Sequence, residues 1–158
     1  MRAAWLAWLL FACGGGDLGG GGGGGDDGPP VDSSAHAFCV EDTNRYRAMN
    51  GRAAVQRSAE LEEFANVGAM IDHDGTPHDH FRQTSGGGIA FAENECPHWS
   101  LSQSGGDMKQ LVAMCIAAFY SEGPGGGHYE NMLGTYGTLG CGIYQSGTSV
   151  TIIQDFGR

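Results

Sequence analysis

Apolar side chains recur at helical spacing in three stretches of the chain. In the first, Phe38, Val40, Tyr46 and Met49 follow Ser34, which is suited to capping a helix, and Asn50-Gly51 supplies a stop. In the second, Leu61, Phe64, Ala65 and Gly68 share one side behind a possible cap at Ser58. In the third, Asp107 and Gln110 have the spacing of a capping box and open a helix over 108–121. Between the second and third, residues 72–88 are polar and rich in histidine and read as a loop. Ile89 and Phe91 alternate with alanines, a period of two that predicts a short strand over 89–94. The runs 138–145 and 149–156 carry Ile143, Val150 and Ile152 around Ser146-Gly147-Thr148 and predict a hairpin. Helices before, strands after and a helix between predict a layered α/β (α+β) fold with a mostly antiparallel sheet.

The N-terminus breaks this pattern. Met1-Arg2, the apolar run Ala3 to Ala12 and then Cys13 read as an export signal, because the run is far shorter than the roughly 20 residues of a membrane span. Leu10-Phe11-Ala12-Cys13 resembles a bacterial lipobox, in which cleavage after a small residue leaves an acylated cysteine. Residues 14–28 hold eleven glycines together with Asp17, Asp26 and Asp27, a composition that buries no apolar surface and acts as a tether. The expected organisation is a signal peptide over 1–12, a linker over 13–30 and one folded domain over 31–158. Gly14, where an aspartate would signal inner-membrane retention, favours an outer-membrane lipoprotein whose only link to the bilayer is its lipid.

Charge narrows the partners. The chain carries a formal charge of −10 with 8 scattered basic residues, which excludes a phosphate backbone as partner because nucleic-acid binding draws on clustered Lys and Arg. A soluble, exported, monomeric domain is the expectation. After Cys13, four cysteines remain: Cys39, Cys96, Cys115 and Cys141. An even count in an exported chain predicts two disulfides with three possible pairings, and the absence of a CxxC spacing argues against zinc-thiolate chemistry.

Candidate chemistry gathers in the acidic and histidine residues. Glu122 falls on the same side of its helix as Cys115 and Met108, so it either meets a cation, a histidine or a metal, or sits in solvent where the helix frays. The short run Gly123 to Gly127 returns the chain to His128, near the start of a turn whose dipole favours the neutral, metal-ligating imidazole. Glu93 follows a strand-like run, with Glu95 as the competing carboxylate. Upstream, Asp72 to His80 packs His73, His78 and His80 among three aspartates, either a cation-binding cluster or a solvated loop.

Taken in order, these phrases resemble the CAP superfamily of cysteine-rich secretory, venom-antigen and pathogenesis-related proteins, whose bacterial members are called SCP-like. Asn44-Arg45-Tyr46-Arg47 with Gly51, Ala92-Glu93-Asn94, Phe119-Tyr120-Ser121-Glu122, Gly127-His128-Tyr129 and Leu139-Gly140-Cys141-Gly142 carry the likeness across 38–156. Alanine stands for glycine before Glu93, Phe119 for tryptophan, and the loop 123–127 is shorter than the family's. The resemblance implies a three-layer α-β-α sandwich and a cleft of two histidines and two glutamates that can take Zn2+ or another divalent cation. It implies Glu93, Glu122 and His128 directly, with His78 completing the set and His73 or His80 as alternatives. It further implies a binding module for a lipid, cell-wall or protein ligand. A metal-dependent hydrolase with Glu93 and Glu122 as candidate catalytic residues is the alternative.

Overall fold

The computed structural model describes residues 33–158; the expected signal peptide, the lipidation residue Cys13 and the whole of the expected linker lie outside them. Helix α1 spans Ser33–Met49, so Ser34 lies within its first turn and not at the cap. A two-residue strand β1, Gln56–Arg57, which no apolar pattern announces, leads into α2, Ala59–Asp74. Ser58 caps α2 by accepting from the Leu61 N–H, as its sequence position predicts. The expected polar loop is largely helical: α2 runs on to Asp74, a short α3 covers Asp79–Thr84, and a 3-10 turn covers Gly86–Gly88. Polarity there reflects an exposed helix face, which hydropathy alone cannot separate from a loop.

Strand β2 spans Ala92–Ser100, later and longer than the expected 89–94. The alternation was inverted as well: Ala90 and Ala92 are buried while Phe91 is exposed. Helix α4, Met108–Ser121, has the expected bounds, with Asp107 accepting from the N–H groups of Lys109 and Gln110. Only that half of the capping box forms, since the Asp107 N–H goes to the Ser104 carbonyl. Helix α5 covers Gly127–Leu133. Strands β3, Thr138–Ser146, and β4, Ser149–Gly157, close the chain as a hairpin with Ser146 paired to Ser149 across Gly147-Thr148.

The sheet runs β1-β3-β4-β2, with only the β1–β3 pair parallel. One face is covered by α1, α4 and α5, and the other by α2 with α3 beside it, giving the α-β-α sandwich. The larger core fills the first interface with Cys39, Leu111, Ile116, Met132, Leu139, Ile152 and Phe156. The second is thin: Ala65, Ala69 and Ile153 with Tyr144. Its thinness has a sequence cause in Leu139-Gly140-Cys141-Gly142. A Cβ on Gly140 would collide with the backbone of Leu61 and Glu62, and one on Gly142 with that of Ala65, so glycine lets α2 lie directly on β3. The alternating Cys141 points the other way and bonds Cys39 of α1, while Cys96 of β2 bonds Cys115 of α4. Both bridges therefore tie the α1–α4 layer to the sheet, and neither touches α2.

Candidate metal centre

Both faces of β2 are buried, and they divide the chemistry between the layers. Ala92, Asn94 and Cys96 face the α1–α4–α5 layer, while Glu93 and Glu95 face α2. Past the end of α2, Gly75-Thr76-Pro77 turns the chain and delivers His78 over these two carboxylates. His78 adopts a left-handed backbone, with φ of 65° and ψ of 11°, which residues bearing a Cβ seldom take. Glu95 Oε2 holds it there by accepting the His78 backbone N–H at 2.6 Å. The His78 ring places Nδ1 at 2.8 Å from Glu93 Oε1 and 3.8 Å from Glu95 Oε2. The bond to Glu93 raises the proton affinity of His78 against the opposing effect of burial.

Beneath this pair lies a cluster of buried acids. Asp155 stands opposite Glu93 in the β2–β4 register, and Asp72 approaches from α2. Both oxygens of Asp155, and one each of Asp72, Glu93 and Glu95, have no hydrogen-bond partner. Burial, and then the charge of Glu93, push Asp155 up to about 9; burial lifts Glu95 to about 7. Burial among neighbouring acids thus favours the protonated forms of Asp155 and Glu95.

The second half of the cleft comes from the α4–α5 connection. Glu122 sits at the C-cap of α4 with its side chain 35% exposed, so the helix ends before burying it, contrary to its place on the apolar stripe. It still finds a histidine: Oε2 accepts the His128 backbone N–H at 3.0 Å, and Oε1 lies 2.5 Å from His128 Nδ1. These bonds hold Glu122 below the usual carboxylate range. Phe119, one helical turn back, packs on the His128 ring with centroids 4.7 Å apart. Two asparagines fix α5 against β2. Asn94 donates to the His128 carbonyl at 3.1 Å, and Asn131 donates to the Glu93 carbonyl at 3.1 Å and to Asn94 Oδ1 at 3.0 Å. The result is two imidazole–carboxylate pairs facing each other, with the His78 and His128 rings 6.3 Å apart.

Of the three upstream histidines, only His78 enters the cleft. His73 turns to Thr151, and His80 packs on Phe64 while its backbone N–H donates to Asp72. Glu95, the carboxylate that competes with Glu93 in the sequence, joins it in the structure. One atom from each of His78, Glu93 and Glu95 lies within 4.8 Å of the others, a grouping that could hold a metal ion. The available signal was the alternation itself, since Glu95 is two residues from Glu93 on the same strand face.

The cysteine-rich secretory protein family model matches residues 40–156. Among solved structures, NaASP2 with Zn2+ superposes with a TM-score of 0.60 at 18% identity, covering 82% of this chain and 84% of that one. An extracellular SCP-domain protein from Bacillus anthracis str. Ames gives 0.56 at 16% identity, covering 83% of this chain and 45% of that one. A cysteine-rich secretory protein from Staphylococcus aureus subsp. aureus Mu50 gives 0.52 at 15% identity, with 82% and 40% covered. A search of curated proteins found no match to the sequence.

Proposed function

The chain belongs to the cysteine-rich secretory protein (CAP) family, and we propose that it is an exported binding module whose cleft holds one divalent cation between His78 and His128. The observation that carries this reading is the pair of carboxylate-held imidazoles. Glu93 and Glu122 each take the δ nitrogen of one ring, which orients the ring and leaves its Nε2 for a metal, the arrangement that metal-binding histidines characteristically use. Imidazole with nearby carboxylate oxygen suits zinc, and a relative of the same fold was solved with that ion. When bound, such an ion polarises an oxygen of a ligand or of water. The chain's own residues do the rest: Glu93 and Glu122 hold the rings, and Asn94 and Asn131 hold the two halves of the cleft together.

Export is supported by the two disulfides, which persist in oxidising compartments, and by the N-terminal signal pattern. The ligand is a lipid, a cell-wall polymer or a protein, met by the cleft and the surface around it. Hydrolysis is the second reading, because an ion between the two imidazoles would polarise a bound water, with Glu93 and Glu122 as the candidate catalytic residues beside it. Calorimetric titration with Zn2+ tests the metal: replacing either His78 or His128 with alanine is expected to abolish uptake at the cleft, and unchanged uptake sinks the reading. Replacing both Glu93 and His128 with alanine should remove any hydrolysis while leaving ligand capture by the surrounding surface.

A further inference from the structure

The chain has six histidines, and four of them form two facing pairs. His36 is tied through Nε2 to Asn66 at 3.0 Å, and His80 lies against Phe64 with ring centroids 4.5 Å apart. His78 and His128 make the cleft. The remaining two, His73 and His98, stand near the far end of β2, with ring centroids 4.6 Å apart and planes inclined at 51°.

His73 comes from the last turn of α2. His98 sits where the register of β2 against β4 slips between Cys96 and Trp99, and its φ is 55°. A left-handed backbone is disfavoured for a side-chain-bearing residue, and such outliers cluster at sites where a fixed side-chain direction matters. Hydroxyls of β4 meet both δ nitrogens: Thr151 Oγ1 lies 2.8 Å from His73 Nδ1, and Ser149 Oγ lies 3.4 Å from His98 Nδ1. Thr151 also accepts the His98 backbone N–H at 3.4 Å, so one side chain ties both histidines. Tyr144 closes one side of His73, edge-on at 5.1 Å. Among the described residues no hydrogen bond reaches either Nε2, and His98 is exposed to solvent.

We infer that His73 and His98 form a second metal site, separate from the cleft, that takes a borderline divalent transition-metal ion such as Zn2+, Ni2+ or Cu2+ through their two Nε2 atoms. Imidazole is the ligand these ions favour, and a ligating ring characteristically has its other nitrogen held by a neighbour. His98 lies five positions along the strand from Glu93, about 16 Å at about 3.3 Å per residue, so the two sites do not share an ion. Two protein ligands leave positions for water, which makes this the weaker of the two sites.

Zinc titration of the full chain by calorimetry tests the assignment. The native sequence is expected to take up two equivalents. His98→Asn, chosen because asparagine tolerates a left-handed backbone, is expected to keep its circular dichroism spectrum and take up one. His128→Ala is expected to lose the other, and the double variant both. Two equivalents surviving His98→Asn, or a single equivalent in the native chain that this variant leaves intact, overturns the second site. Retention of both equivalents by His128→Ala overturns the cleft reading and leaves the second site standing. A measurement without variants keeps the test open to refutation should His98→Asn fail to fold: ring resonances of His73 and His98 are expected to shift with the second equivalent of zinc, and their constancy rejects the site.

Discussion

Single side chains decide how this protein responds to pH. Asp155 keeps its proton up to about 9 in the folded chain against an ordinary 3.8, so between those values the folded state binds more protons than the unfolded one. Stability contributed by this group is therefore lost as pH rises through that window. His78 acts in the same direction: its raised proton affinity stabilises the fold below its unfolded value of 6.5 and ceases to do so as pH climbs through the folded value. Asp155→Asn isolates the first effect. In the metal-free protein, denaturant melts at pH 5 and pH 8 should show the native chain losing stability and the variant losing less, by more than about 1 kcal/mol. Equal losses in both proteins would refute it. At this scale the sequence was informative where a residue sits in a phrase, as Glu93, Glu122 and His128 do. It named His78 only with His73 and His80 beside it, because position there arises from a turn. His78 reaches Glu93 because residues 75–77 bend the chain back over β2, and Glu95 matters because it takes a backbone N–H that only the folded turn presents.

Elements with strong caps and apolar stripes are legible in the sequence. Helix α4 has the bounds its Asp107 and apolar spacing predict, and the hairpin lies within a residue of its expected limits. The segment from 72 to 88 is not, because α3 has no buried residue and so lacks the stripe by which a helix is recognised. The twin glycines of β3 give the clearest test of an element contact. Gly142→Ala would drive a methyl group into the backbone of α2 at Ala65, and should destabilise by about 3 kcal/mol or more, at the upper end for overpacking, read as a lowered denaturation midpoint. A neutral outcome would show that α2 can lift off β3 without loss. The bridge from Cys39 to Cys141 spans 102 residues, so opening it by replacing both cysteines with serine should lower stability by about 2–5 kcal/mol, more than the same change at the 19-residue span of Cys96 and Cys115.

For the whole molecule, composition gave the class and left the ligand unstated. Cysteine count anticipated two bridges, but their pairing follows from the fold, in which alternate positions of β2 and β3 face opposite layers. The tether and Cys13 predict that, in a bacterial host, the chain incorporates a labelled fatty acid and that Cys13→Ser abolishes incorporation; labelling that survives the change would place the lipid elsewhere or remove it from the scheme. Two leaves of helix clasp one sheet, yet only one is riveted, and the unriveted leaf carries His73 and leads directly to His78. Sub-global opening in an oxidising milieu should therefore begin by peeling α2 away, parting His73 from His98 and His78 from His128 in a single motion. Amide-hydrogen exchange running faster along α2 than along α1 and α4 would be the mark of that hinge, and would make the riveting pattern a means of letting both histidine pairs open without unfolding the domain.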